Sequence, residues 1–198
     1  MEAQIQNGRV AWRGSTLLSP VPAALVTVGD SERANILTVA WCGIVCSQPP
    51  VTYISVRPER YSHALLRETG EFVIHLTNRA LCRATDYCGI YTGAKVDKFV
   101  KCGLTRIPSV SVSAPTIAEA PLTLECRVRQ VTPLGSHDMF LSDILSVTVR
   151  EELLDEGGRL CLERADLVAY SHGAYFSLGE KLGSFGFSAA RRGAGKRR

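Results

Sequence analysis

No stretch of this 198-residue chain approaches the roughly 20 consecutive apolar residues that cross a bilayer as a helix, so a soluble protein without membrane contact is expected. Residues 1–14 show no charged start followed by an apolar run and a cleavage site. No secretory leader is expected, and a reducing cytoplasmic setting without disulfides follows. The seven cysteines, Cys42, Cys46, Cys82, Cys88, Cys102, Cys126 and Cys161, contain no C-x-x-C pair. That excludes a zinc ribbon and leaves most of them as expected buried, small apolar groups. No G-x-G-x-x-G, Walker loop or G-x-S-x-G elbow occurs, so Rossmann-type dinucleotide binding, P-loop chemistry and serine hydrolysis have no foothold. The four histidines have no partners at metal-ligand spacing, and no metal is expected.

Positive charge is scarce in the body of the chain. The formal charge is +4, but Arg191, Arg192, Lys196, Arg197 and Arg198 carry five positive charges, and residues 1–190 together stand at −1. A nucleic-acid-binding domain should carry a basic face on its folded part, so no nucleic acid is expected as partner. Composition divides the chain into a single domain over 1–188 and a disordered basic tail over 189–198. With 45% apolar residues, one domain of this length buries a sizeable core.

What is present is mostly β. Residues 20–29 (PVPAALVTVG) form a β-rich run that ends among turn formers. Residues 35–45 read as a second strand, the Gln48-Pro49-Pro50 break follows, and residues 51–56 are β-branched and aromatic. A short helix is expected from Ser62, its N-cap, to Gly70, its stop signal. Residues 71–77 return to β; short helices are expected over 79–88 and 95–102; residues 122–131 and 139–151 flank a turn-forming segment as a long antiparallel hairpin. Six or more neighbouring antiparallel strands with only short helices predict a closed or nearly closed barrel, because closure removes exposed edges.

The most informative stretch is Ser55-Val56-Arg57-Pro58-Glu59-Arg60-Tyr61-Ser62-His63, where a strand ends in arginine and a helix begins. The first turn of a helix has unpaired N–H groups and partial positive charge, a ready anion site. Arg57 adds a guanidinium fork, with Arg60 and His63 close by, so a terminal phosphate would meet both charge and directed donors. Upstream, Asn35-Ile36-Leu37-Thr38-Val39-Ala40-Trp41 offers amide, hydroxyl and backbone groups between apolar neighbours, as the edge of a planar heterocycle requires.

The segments LLSPVPAALVTV, NILTVAW, QPPVTYISVRPERYSH, AKVDKF and YFSLGEKLGSFGFS, in that order over residues 17–188, resemble the flavin reductase-like, FMN-binding split-barrel family, most closely its flavoredoxin branch. The resemblance implies a mainly β fold with short helices, a Greek-key-like antiparallel split barrel. It implies FMN as cofactor, held by Asn35, Leu37, Thr38, Val39, Ala40 and Trp41 along the isoalloxazine with Gln48 and Pro49 beside it. Ser55, Val56, Arg57, Ser62 and His63 would approach the ribityl-phosphate. It further implies a homodimer with the flavin near the interface, and Asp97 and Lys98 at the mouth of the site, where Lys98 would favour reduced flavin or attract the nicotinamide donor. Thr38 is the candidate for tuning the ring. Because the isoalloxazine carries the redox chemistry, no side chain is expected to act as nucleophile or obligatory acid. The implied activity is transfer of hydride from NADH or NADPH to FMN and onward to free flavin or another acceptor. The alternatives are a flavoredoxin-like electron carrier with little NAD(P)H oxidase activity and a cofactor-free, non-redox barrel.

Overall fold

The computed structural model of the chain describes residues 5–189. The basic tail lies outside the described residues, apart from Ala189. Seven strands build the main sheet: β1 (Ala24–Gly29), β2 (Ala34–Val39), β3 (Cys42–Ser47), β4 (Pro50–Val56), β5 (Glu71–His75), β6 (Leu122–Pro133) and β7 (Asp138–Val149). Their order is β2-β1-β5-β6-β7-β4-β3, with every neighbour antiparallel. Three helices interrupt them, α1 (Tyr61–Thr69), α2 (Cys82–Ile90) and α3 (Lys98–Cys102). A small second sheet pairs β8 (Val168–Ser171) with β9 (Ala174–Ser177) and with Val21–Pro22.

The sheet is not closed by a ladder. Its two edge strands, β2 and β3, are consecutive in the chain, and the corner Ala40-Trp41 joins them. The expected single strand over 35–45 is therefore two strands on opposite edges of one sheet. The near-closed barrel is a curled sheet with a split between those edges. The expected strand over 20–29 also divides, its first residues pairing in the small sheet and the rest in the large one.

Period-two alternation explains why β1 is buried throughout and apolar at every position but Thr27, whose hydroxyl is paired. Ala24, Val26 and Val28 face a cluster inside the curl with Leu37, Val39, Ile54, Val56, Phe72, Ile74, Cys126, Phe140 and the α1 residues Leu65 and Leu66. Leu25 faces the other way, into a second cluster with Ile36, Leu81, Cys88, Phe99 and Leu104, where α2 and α3 cover the sheet. Side chains on successive strand residues point to opposite faces, so a strand covered on both faces must be apolar at both registers. Each fully buried Val, Leu or Phe contributes roughly 1.5–3 kcal/mol. Gly70 ends α1 in the left-handed conformation (φ 67°), and its N–H donates to Leu66 O at 3.0 Å, as its sequence position predicts.

The buried polar groups are paired. Glu125, fully buried on β6, accepts from the backbone N–H groups of Val110 and Ser111 and so pins the loop that crosses the sheet. The Thr27 hydroxyl donates to Pro115 O and that of Thr77 to Ala23 O. The thiols divide differently from expectation: Cys88, Cys126 and Cys161 are buried, Cys42, Cys82 and Cys102 are half-buried, and Cys46 is exposed. Cys46 lies on the edge strand β3, which has no further strand to cover it.

His75 is the clearest case of a structural histidine. Its Nδ1–H donates to Leu25 O at 3.1 Å, and its Nε2 accepts from the Ile117 N–H at 3.0 Å, tying β5 to β1 and to the covering loop. Burial lowers its pKa from 6.5 to about 4, although the hydrogen bonds to Leu25 and Val73 pull the other way. A proton on Nε2 would also face the Ile117 N–H with nothing to accept it. The folded state therefore refuses a proton that the unfolded chain binds. This contribution to stability is complete above pH 6.5 and falls as pH drops from 6.5 to about 4, a loss on the order of 3 kcal/mol. Urea titrations at pH 7 and pH 5 should show the midpoint falling in the native chain, with a clearly smaller fall in His75→Asn; equal falls in both would acquit His75.

Candidate functional site

A cleft of about 720 Å³ opens at the split, within the size range of small-molecule sites. One wall is β2 and the corner after it, with Asn35, Leu37, Thr38, Val39, Ala40 and Trp41. The floor is the end of β4 and the approach to α1, with Ser55, Val56, Arg57 and Ser62. Lys98 enters from α3. Eleven of the fourteen residues named from the sequence thus line one cavity.

Gln48, Pro49 and His63 do not line it. Gln48 and Pro49 are exposed in the tight turn between β3 and β4, which the pairing of Ser47 with Pro50 closes. Trp41 lies at the opposite end of that hairpin, where its carbonyl accepts from the Ser55 N–H at 2.9 Å. The six residues of β3 separate the two ends, roughly 20 Å at 3.3 Å per residue. His63 sits one residue beyond Ser62 and, at about 100° per helical residue, turns to β7 instead. Its Nε2 meets the Asp138 carboxylate at 2.8 Å, and its ring packs edge-on against Phe140.

Ser62 is not the N-cap. Arg60 holds that position in extended conformation (ψ 133°), no side chain caps the helix, and Ser62 is its second residue. Arg57 O accepts from the Arg60 N–H at 3.1 Å, and Arg60 O from the His63 N–H at 2.8 Å, so the turn through Pro58 starts the helix two residues early. The N–H groups at the mouth of α1 consequently belong to Tyr61 and Ser62, and both residues line the cleft. Ser62 keeps a function of its own. Its oxygen accepts from the Asn35 side-chain amide at 2.7 Å, which leaves the hydroxyl proton free to donate.

Lys98 is buried, not exposed at a mouth: only 4% of it is accessible. Its ammonium donates to Ile36 O at 2.7 Å and to Cys88 O at 2.8 Å. An ammonium has three N–H groups, so one remains for a ligand in the cleft. Burial lowers its pKa, with the Arg60 charge adding to that and the neighbouring thiols opposing it. Asp97, named with it, caps α3 by accepting from the Val100 N–H at 3.2 Å and does not reach the cleft. Thr38 spends its hydroxyl proton on Thr85 O in α2, so it can meet a ligand only as an acceptor.

Several other residues reach the cleft with no local signal in the sequence to place them there. Cys88, Gly89, Tyr91, Thr92 and Gly93 come from the end of α2 and the loop after it. A Cβ on Gly93 would lie 2.2 Å from the Asn35 amide oxygen, so only glycine allows this approach. His137 reaches the cleft from the β6–β7 turn and packs on Trp41 with ring centroids 4.6 Å apart. Burial and the charges of Arg57 and Arg60 lower its pKa. Its partner on β4 follows from register, since Asp138 pairs with Val56 and His137 therefore sits beside Arg57. Tyr170 arrives from the small sheet. The charged lining is Arg57, Arg60 and Lys98 against Glu59, which meets the Arg57 guanidinium at 3.4 Å.

Comparison with known proteins agrees with this architecture. The flavoredoxin of Desulfovibrio vulgaris (Miyazaki F) is 36% identical in sequence and superposes with a TM-score of 0.82 over 90% of this chain and 97% of its own. An FMN-binding protein from Thermus thermophilus is 25% identical, with a TM-score of 0.75 over 93% of this chain and 99% of its own. An uncharacterized protein of Pyrococcus abyssi is 29% identical across 85% of this chain and 96% of its own length. Residues 17–179, which carry the split sheet and all of the cleft lining, match the family model described as a flavin reductase like domain, and the chain belongs to that family.

Proposed function

We propose that the cleft binds FMN and that the protein is an oxidoreductase taking electrons from NADH or NADPH. The observation that carries this reading is that one cleft combines two chemically distinct kinds of lining. Arg57, Arg60 and the uncapped start of α1 supply positive charge and N–H donors suited to a phosphate. Leu37, Val39, Ala40 and Trp41 add apolar lining interrupted by few polar groups, as a tricyclic ring requires. The Ser62 hydroxyl and the spare Lys98 N–H belong to the same cleft and would hold ligand oxygens. Bound FMN would supply hydride acceptance at its ring. The chain supplies position, partial exclusion of water and positive charge that favours the reduced, more anionic form.

The second reading, a one-protein electron carrier with little nicotinamide oxidation, is favoured by the likeness to the Desulfovibrio flavoredoxin. We further propose a homodimer in the cytoplasm. The chain carries two apolar arms that its own fold leaves exposed, Trp12, Leu17 and Leu18 before the strands of the small sheet and Leu178, Leu182, Phe185 and Phe187 after them. Exposed apolar surface on this scale marks an interaction site, and a second copy is the partner a symmetric assembly offers. All seven thiols are free, in keeping with a reducing compartment.

Purified chain mixed with FMN should retain the flavin absorbance band after desalting. Arg57→Ala should weaken FMN about tenfold, roughly 1.4 kcal/mol, at the low end for a charge-assisted hydrogen bond because half of the Arg57 side chain is exposed. An unchanged dissociation constant removes Arg57 from the site. Stopped-flow mixing of the FMN-loaded protein with NADH and NADPH should bleach the flavin band rapidly with at least one. Slow bleaching with both, but fast bleaching with a reduced ferredoxin-type donor, selects the carrier. Light scattering during gel filtration should give twice the 21.5 kDa chain mass, and a single-chain mass would reject the dimer.

A further inference from the structure

We propose that Cys88 and Cys102 form a redox-active dithiol in the wall of the cleft, which small-molecule disulfides oxidise to an internal disulfide. The two sulfurs lie 3.9 Å apart in a thiol–thiol contact between α2 and α3. A disulfide needs about 2.05 Å, so the sulfurs must close by nearly 2 Å. Cys88 is buried and Cys102 half-buried, which assigns the order of events. A disulfide from solution can reach Cys102, while Cys88, only 2% accessible although it lines the cleft, is shielded from one.

The exchange balances in two steps. The Cys102 thiolate attacks one sulfur of the external disulfide, forming a mixed disulfide and releasing one thiolate, which takes up a proton. Cys88 then loses its proton and attacks the Cys102 sulfur, forming the internal disulfide and releasing the second thiol. Two electrons leave the protein dithiol and reduce the external disulfide. Burial and the neighbouring thiol push the Cys88 pKa up to about 12, and the Lys98 ammonium opposes that rise. The same ammonium stabilises Cys88 as the leaving thiolate when the disulfide is reduced.

Oxidation reaches the cleft through Lys98. Cys88 lines the cleft, and its carbonyl holds the Lys98 ammonium. Lys98 and Cys102 open and close the five-residue helix α3, so Cys88 grips that helix at both ends, by its carbonyl at one and by its thiol at the other. Drawing the sulfurs together changes the second grip, and the first must adjust. The dithiol is thereby coupled to the one buried cation among the charged residues that line the cleft.

The test is disulfide mapping of the full chain, without denaturant, in buffers of oxidised and reduced glutathione. Trypsin cleaves after Arg83, Lys95, Lys101 and Arg106, which puts Cys88 in peptide 84–95 and Cys102 in peptide 102–106. The expected result is a linked 84–95/102–106 pair that reductant reverses, and a melting temperature on the order of 5–10 °C higher in the oxidised form. Cys102→Ser and Cys88→Ser should each lose both. Glutathione adducts alone, or a link that forms only in urea, would overturn the proposal.

A second arm rests on the FMN reading: the oxidised form should bind FMN at least threefold more tightly or more weakly than the reduced form, with Cys102→Ser insensitive to oxidant. Equal affinities overturn the coupling to the cleft. A chain that forms the link yet binds no FMN in either state keeps the dithiol and removes the flavin reading instead.

Discussion

The two edges of the main sheet are consecutive strands, and the rest of the molecule follows from that constraint. An antiparallel sheet that curls until its first and last strands approach would ordinarily zip them together, because unpaired N–H and C=O groups on an edge are costly when buried and adhesive when exposed. Here β2 runs into β3 through Ala40-Trp41, a corner and not a hairpin, so the chain crosses the gap covalently while the ladder does not. The gap becomes a cleft. Everything that lines it, from α1 to the loop after α2 and the β6–β7 turn, is there because the sheet stops short at this place.

The split also explains the distribution of polar groups. Inside the curl the core is apolar, and the polar side chains buried elsewhere in the fold, His75, Glu125, Thr27 and Thr77, are satisfied by backbone. At the split, several groups retain capacity that the fold does not use: the Ser62 hydroxyl proton, a third Lys98 N–H and the first N–H groups of α1. In an open cleft such groups can be met by water, and the anion proposed above would take its place with directed, charge-assisted bonds.

Lys98 joins the two halves of this picture. Ile36 O belongs to β2 and Cys88 O to α2, so one ammonium staples the helical cover to the edge strand while presenting its charge to the cleft. Its neighbours on α3, Asp97 and Cys102, have other tasks, the first as the N-cap and the second as the thiol partner of Cys88. Three functions thus lie on a helix of little more than one turn and its N-cap.

The sequence by itself determined the elements that local chemistry specifies. Alternating apolar residues marked the strands, Gly70 marked the end of α1, the turn formers between 133 and 138 marked the long hairpin, and the run from Asn35 to Trp41 with Ser55–Arg57 marked most of one cleft. Only the tertiary structure decided what depends on register and distant packing. It split one apparent strand at Ala40-Trp41, where no glycine or proline signals a corner. It moved the N-cap from Ser62 to Arg60, turned His63 to Asp138, and left Gln48 and Pro49 at the far end of a hairpin. It buried Lys98 against two carbonyls and brought His137, Gly93 and Tyr170 to the same cavity. Periodicity and capping act over a few residues and can be read along the chain. Which strand edge faces which helix end is set by how the whole sheet curls, and no local stretch contains that.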